Sequence, residues 1–417
     1  MKNKNGFISM TLVYTFLILF LFVMLAILKT YSRNNKILTT FSERINSDLK
    51  VSNEQKSKLY YRILIDNLNY SDSVDSINVS SSTGINFSLP SSDTNGKGLY
   101  YTTSADKSIN GKRVYYFRGA VNNNYVIYAG LCFRIIRTAE GNAVKMQYAG
   151  VPTNGACPDG TITSPITDVV YNQTTKDNTF IGYKTGVENE CESTTTCVIT
   201  TPTTTYEEST NNKFDSNAKK EIDNWAKDNI YSKGDEITKY LADVTYCSDR
   251  KITTASEGYT GTGTQFGYGN NITYYNPYLR YQSNLPTFNC TNDKDKFSQS
   301  LASGNGELLY PVGMITMDEL MYAGAIAKNG TTTSETHYLA NGNQYFTMTP
   351  SSHVSNYSNI FMHNADGTLE ETNTSQKGKI FPVITLRGDS IIKSGTGLRT
   401  SPYIIGDWLW IKKDSYL

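Results

Sequence analysis

Three histidines, His337, His353 and His363, are the side chains best suited to acid–base chemistry or metal binding. Nucleophilic catalysis needs a serine or cysteine beside a histidine and a carboxylate. The chain has no Gly-x-Ser-x-Gly elbow that would place such a serine. All three histidines fall in stretches rich in Tyr, Ser and Asn, which are typical of loops, although His353 and His363 could meet in space. We therefore expect exposed histidines and predict no catalytic residue.

The six cysteines favour disulfide bonds over a metal site. No CxxC pair occurs, and three histidines are few for a structural zinc centre. An even number of cysteines in an exported domain favours disulfides, with buried free thiols as the alternative. We expect Cys191–Cys197 to close a short loop and Cys247–Cys290 to close a long one. No metal and no cofactor is predicted.

Charged and glycine-rich stretches give weaker signals. Arg134 and Arg137 could form an anion site, but strand arginines mostly form ion pairs or cover apolar surface. The glycines between 258 and 271 match neither a dinucleotide-binding motif nor a phosphate-binding loop. Lys and Arg (39) balance Asp and Glu (38), which is not the charge pattern of a nucleic-acid-binding protein. The 31 tyrosines fit a secreted, β-rich protein that binds through its surface.

An uncharged run of 22 residues, Phe7 to Leu28, is long enough to cross a membrane as a helix. A cleaved signal peptide has a shorter apolar core and a small-residue exit, which this run lacks. Basic residues flank the run on both sides, so orientation follows from the Cys-bearing, Ser/Thr/Asn-rich remainder. The sequence predicts a single-pass protein of the cytoplasmic membrane, in contact with membrane lipid. Its N-terminus would lie inside and its C-terminal domain would be extracellular.

Lys4-Asn5-Gly6-Phe7, directly before this run, resembles the leader of type IV prepilins and pseudopilins. The resemblance implies that a prepilin peptidase cuts between Gly6 and Phe7, and that other pilin-like subunits are partners. The fifth position after the cut is usually Glu in major pilins and here is Thr11. The resemblance is therefore to minor, tip-located members that lack this Glu. A plain signal anchor with an accidental Gly-Phe is the alternative.

Beyond the apolar run, helical and then strand patterns follow. Apolar residues at spacings of three, four and seven predict a continuing helix, as in a pilin stalk, a simple amphipathic stalk or a coiled coil. Alternating Tyr-, Val- and Ile-rich segments then predict strands at 98–103, 113–118, 125–138, 142–148, 308–315, 345–348, 359–363, 380–387 and 401–405. Helices are predicted at 216–231, at 236–242 and after the capping box Thr316–Glu319.

These patterns predict an α+β fold: a long N-terminal transmembrane and stalk helix, then a mainly antiparallel β head with a few short helices. The head would be loosely similar to C-type lectins, by analogy only. The predicted segments are a basic leader (1–6), a transmembrane helix (7–28), a helical stalk (29–68), a Ser/Asn-rich linker (69–97) and an extracellular head (98–417).

A second resemblance rests on Gly130–Arg137 (GLCFRIIR), Tyr310–Thr316 (YPVGMIT) and Phe381–Arg387 (FPVITLR), and it spans roughly residues 125–405. Through these segments the head resembles uncharacterised extracellular domains of surface proteins from gut Firmicutes. The resemblance implies no known activity. The function expected from the whole sequence is a membrane-anchored, minor-pilin-like surface protein whose head binds an unknown extracellular ligand. A tethered enzyme acting on surface glycans or protein is one alternative, and a purely structural pilus subunit is another.

Overall fold

Two units make up the chain, Met1–Lys56 and Ser57–Leu417. A computed structural model describes residues 14, 18–26, 29, 54–67, 85–91, 98–102, 113–173, 177–188, 205–253, 272–290, 292–300, 307–328, 333, 337–354 and 357–406.

The described part of the N-terminal unit includes a helical segment at residues 18–26, whose side chains are exposed. No helix among the described residues combines the length and the apolar character that crossing a membrane requires. The predicted localisation as a single-pass membrane protein is therefore wrong.

The predicted α+β class is also wrong. The described residues are mostly β-sheet, and their longest bounded α-helix, Asn217–Asn229, has 13 residues. Neither a long apolar helix nor a stalk helix is present among them. The physical reason lies in the strand-forming Tyr, Val, Ile and Thr residues of the chain, which pair into sheets and leave only short amphipathic stretches for helices.

Twenty strands and six α-helices are described in the second unit, and we number them in chain order. The helices are α1 (Leu59–Asn67), α2 (Tyr206–Ser209), α3 (Asn217–Asn229), α4 (Asp235–Thr238), α5 (Asn276–Ser283) and α6 (Met317–Ala323). The strands are β1 (Leu99–Thr102), β2 (Val114–Phe117), β3 (Tyr125–Tyr128), β4 (Leu131–Thr138), β5 (Val144–Tyr148), β6 (Ile166–Val170), β7 (Lys184–Thr185), β8 (Phe214–Asp215), β9 (Tyr246–Cys247), β10 (Thr273–Tyr274), β11 (Lys296–Phe297), β12 (Val312–Gly313), β13 (Ile326–Ala327), β14 (Tyr345–Val354), β15 (Tyr357–His363), β16 (Thr368–Asn373), β17 (Lys377–Ile380), β18 (Val383–Leu386), β19 (Ile392–Ser394) and β20 (Tyr403–Ile405).

The largest sheet has nine strands, in the order β12-β18-β5-β4-β3-β20-β19, with β2 pairing with β4 and β1 with β2. Its pairs are antiparallel except β20 with β3. Strands β4 and β5 are buried along their whole length, so they form the centre of the core. The predicted strand 125–138 is in fact the hairpin β3–β4, which turns at Ala129 and Gly130, both at positive φ.

A second sheet has the order β10-β14-β15-β16-β13 and is antiparallel except for β13 with β16. Three two-stranded pairs complete the described sheets: β9 with β11, β6 with β17, and β7 with β8. The pair β6–β17 carries one wall of the groove described below.

Helix α1 corrects the predicted stalk, because it packs into the domain. Leu59, Ile63 and Leu64 are at most 8% exposed. The backbone N–H of Leu59 donates to the carbonyl of Ser390 at 2.8 Å, and the hydroxyl of Tyr403 donates to Asp66 at 2.7 Å. The spacing that predicts a stalk is equally that of a helix with one buried face.

Candidate functional site

A buried ion-pair cluster lies at the start of helix α6. Thr316 and Glu319 form the predicted capping box. Glu319 Oε1 also accepts hydrogen bonds from Arg137 Nε at 2.7 Å and Lys145 Nζ at 2.8 Å. Burial alone would raise the pKa of Glu319, but Lys145 and Arg137 outweigh it and lower the pKa to about 2. Arg137 is therefore neutralised from inside the protein.

A second cluster lies beside the first. Arg280 Nε donates to Asp318 at 2.8 Å, and its Nη1 donates to Asp249 at 2.8 Å. These six charged side chains and Cys247 are among the residues lining a cavity of about 20 Å³. That volume holds about one water molecule. The Arg280–Asp318 pair links α5 to α6, and the cavity is too small for a substrate.

Arg134 and Arg137 do not form the anion site considered for them, and Arg137 is in an ion pair, as strand arginines mostly are. Arg134 is 9% exposed and donates to Asn124, to the hydroxyl of Tyr125 at 2.7 Å and to the carbonyl of Val121. Its guanidinium also lies 3.9 Å from the centre of the Tyr125 ring. Neutral groups in the core therefore accept the hydrogen bonds of the Arg134 guanidinium.

All three histidines are buried, so the expectation of exposed loop histidines is wrong. His353 and His363 lie on β14 and β15, and each is fully buried, while His337 is 1% exposed. His363 Nε2 lies 3.1 Å from Nε2 of His337, not beside His353. Burial lowers the pKa of His363 to about 3 and that of His353 to about 4, and it lowers the pKa of His337 well below the usual value. All three are therefore neutral at pH 7.

Two disulfides are described. Cys247 is bonded to Cys290, the long-loop pair expected from the sequence, and Cys132 is bonded to Cys157, a pair that the sequence analysis leaves unassigned. Cys132 and Cys157 are at most 1% exposed, which places their bond in the core. Disulfides of this kind are consistent with an extracellular domain.

A groove with a volume of about 700 Å³ lies between strand β6 and helix α3. Helix α3 is fixed by Ser216, whose side chain accepts from the backbone N–H of Lys219. Ala218, Ile222 and Ala226 recur on one face and are fully buried. The opposite face therefore borders the groove.

Beneath the groove, a buried ammonium holds α3 in place. Lys219 is fully buried, and its Nζ lies 2.5 Å from Asp223 and 3.5 Å from Asp215. Lys184 reaches Asp215 at 2.9 Å. Burial raises the pKa of Asp223, and Lys219 opposes that rise. This network ties the helix to the short strand β8 and so gives the groove a rigid wall.

The groove is lined mainly by polar side chains. Its exposed residues include Asp168 from β6 and Lys220, Glu221, Asn224 and Asp228 from α3. Within the described structure, none of the three carboxylates forms an ion pair. Three carboxylates against one ammonium give the groove a formal charge of −2.

An aromatic side chain forms part of the groove floor. Trp225 is only 6% exposed and meets the Tyr148 ring edge-on at 6.0 Å. Its ring faces are therefore used in core packing and offer little surface for stacking a ligand.

Strand β6 has a bulge in the groove wall. Ile166 pairs with Ile380, and Val169 pairs with Gly378. Between these two pairs β6 has two residues and β17 has one, so β6 carries one extra residue. Asp168 lies at this bulge with a φ of 58°. Among the described strands β6 pairs with β17 alone, and residues 165–170 line the groove.

Of the predicted site residues, Cys247 and Cys290 meet in a disulfide. The predicted cleavage position Gly6–Phe7, the assembly position Thr11 and the pair Cys191–Cys197 all lie outside the described residues. The sequence analysis did not identify the groove. The amphipathic pattern of 216–231 identifies α3, but the register of β6 against β17 requires the tertiary structure.

Three comparisons were made with known proteins. No family model, no curated protein and no solved structure matches this chain.

Proposed function

We propose that this protein is an exported, minor-pilin-like binding protein whose β domain holds an extracellular ligand in the groove between β6 and α3. The observation that carries the proposal is the groove itself. Its volume of about 700 Å³ falls in the usual range for ligand sites, whereas the charged cavity at α6 measures only about 20 Å³. The disulfides support export.

Binding can be tested without knowing the ligand. Purified full-length protein is screened against a glycan array and a random-peptide library, and hits are remeasured with two variants. Asn224→Trp places a large ring in the groove, whereas Lys227→Trp places the same ring on an exposed position of α3 outside it. We expect to find a ligand whose affinity falls at least tenfold in the Asn224→Trp variant and is unchanged in the Lys227→Trp variant. A ligand that tolerates both variants, or no ligand in either library, contradicts the proposal.

The minor-pilin-like part of the proposal rests on Gly6-Phe7 and on the basic residues before it. Processing by a prepilin peptidase predicts a mature chain that begins at Phe7, with a free or methylated amine. Mass spectrometry of the protein from its native host measures this end directly. A chain that retains Met1 contradicts the pilin-like reading and leaves the groove proposal intact.

A further inference from the structure

We infer that the ligand of the β6–α3 groove is an extended, basic polypeptide segment that adds a strand to the edge of β6. This inference rests on the proposed function, because it names the class of ligand for the same groove. It follows from the strand edge, the dimensions of the two walls and the charge of the lining.

One edge of strand β6 is not covered by another described strand. Strand β6 pairs with β17 on one side, and residues 165–170 line the groove. An unpaired edge presents backbone N–H and C=O groups that an extended peptide can pair with. A polypeptide can satisfy such a row of alternating donors and acceptors along its whole length.

The dimensions agree with a short peptide. The five residues of β6 extend for about 17 Å, and the 13 residues of α3 extend for about 20 Å. A peptide of five or six residues in the extended conformation therefore matches the length of either wall. An edge strand bordered by a helix is one of the recurring arrangements that bind peptides by strand addition.

The charge of the lining selects among peptides. Asp168 stands on β6, and Glu221 and Asp228 stand on α3, with Lys220 as the single cation of the lining. These carboxylates are exposed and form no ion pair within the described structure, so Lys or Arg side chains of a ligand can pair with them. Asp168 sits at the bulge of β6, where its carboxylate repels an acidic strand and would lose hydration against an apolar one, which favours basic partners.

The aromatic residue of the groove argues against a glycan. Sugar rings bind to exposed aromatic faces, whereas Trp225 is 6% exposed and packs edge-on against Tyr148. The groove therefore offers hydrogen bonds and charge but no stacking platform. This combination fits a peptide better than a carbohydrate.

The test measures binding of fluorescent six-residue peptides to the full-length protein. One peptide alternates Val and Lys, a second alternates Val and Glu, and a third is the Val–Lys peptide with N-methyl groups on every backbone nitrogen. We expect the Val–Lys peptide to bind at least tenfold more tightly than the other two. Equal binding of the N-methylated peptide overturns strand addition, because its methyl groups block the edge hydrogen bonds.

Substitutions of single carboxylates test which of them bind the lysine side chains of the peptide. Asp168→Asn and Asp228→Asn should each lower the affinity for the Val–Lys peptide about two- to fivefold. Added salt should reduce the difference in affinity between each variant and the unchanged protein. Glu236→Gln changes an exposed carboxylate on α4 and should leave the affinity unchanged. Unchanged affinity in both Asp variants overturns the charge assignment.

The glycan array separates this inference from the proposed function. In one outcome the protein binds a glycan whose affinity Asn224→Trp reduces and shows no affinity for the Val–Lys peptide. That result overturns the peptide inference and supports the groove as a binding site. Absence of both kinds of ligand contradicts the groove proposal as well.

Discussion

At the scale of single residues, Glu319 combines two structural roles. Its side chain closes the capping box of α6 and forms ion pairs with both Arg137 and Lys145 in the core. The adjacent sequence Thr316–Glu319 reveals the first role. The second depends on β4 and β5, which lie more than 170 residues earlier in the chain. Removing the charge therefore does more damage than removing a cap.

We expect Glu319→Gln to lower the free energy of unfolding by about 3–5 kcal/mol. The glutamine can keep the cap, but it leaves two buried cations without their anion. Urea unfolding followed by circular dichroism measures the loss. Glu370→Gln is the matched control, since it breaks the partly exposed pair with Lys328 and should cost less than about 1 kcal/mol. If Glu319→Gln lowers the free energy of unfolding by no more than Glu370→Gln does, the buried pairs contribute no net stability.

The buried histidines predict a loss of stability in mild acid. Their folded pKa values lie below the unfolded value of about 6.5, so unfolding takes up protons as the pH falls. The free energy of unfolding should therefore be constant above about pH 7 and decrease from pH 6.5 towards pH 4. In that window His363→Phe should reduce the slope by about 1.4 kcal/mol per pH unit, because one proton fewer is taken up. Denaturant titrations at several pH values measure the slope, and an identical slope in the variant would refute this account.

At the scale of elements, helix α3 is the part of the groove that the sequence predicts well. Ser216 caps it, and it ends within two residues of the predicted boundary. Its buried face places Lys219 against Asp215 and Asp223, which fixes the exposed face beside β6. The shape of the groove thus depends on the start of a 13-residue helix.

Ser216→Ala should lower the free energy of unfolding by about 1 kcal/mol. The alanine leaves the backbone N–H of Lys219 without its side-chain acceptor. Ser283→Ala, in the last turn of α5, changes an exposed serine that caps no helix N-terminus and should change stability by less than about 0.5 kcal/mol. Urea unfolding of both variants makes the comparison. Equal effects would mean that the cap does not stabilise α3.

At the scale of the whole molecule, the second unit starts at Ser57, so helix α1 belongs to the β domain. Its apolar face is buried, and its ends bond to residues near the C-terminal strands. A boundary drawn after residue 68, as the predicted stalk requires, would cut through this packing.

A fragment of residues 57–417 should fold and unfold cooperatively in urea. A fragment of residues 69–417 should lose on the order of 5 kcal/mol, because three buried side chains of α1 each contribute about 1.5–3 kcal/mol. Unfolding curves of the two fragments measure the difference. Equal midpoints would restore the boundary at 68.

By itself the sequence determined the local features: the capping box at Thr316, the cap at Ser216, the positions of about half of the described strands and the use of cysteines in disulfide bonds. These features depend on interactions between near neighbours, or on residue types that export favours. Only the tertiary structure decided the burial of the histidines, the neutralisation of Arg137, the Cys132–Cys157 bond and the groove. Each of these joins segments far apart in the chain, and a single-sequence pattern carries no information on such pairings. The predicted stalk failed for the same reason, because an apolar helical period states which face is buried but not what buries it.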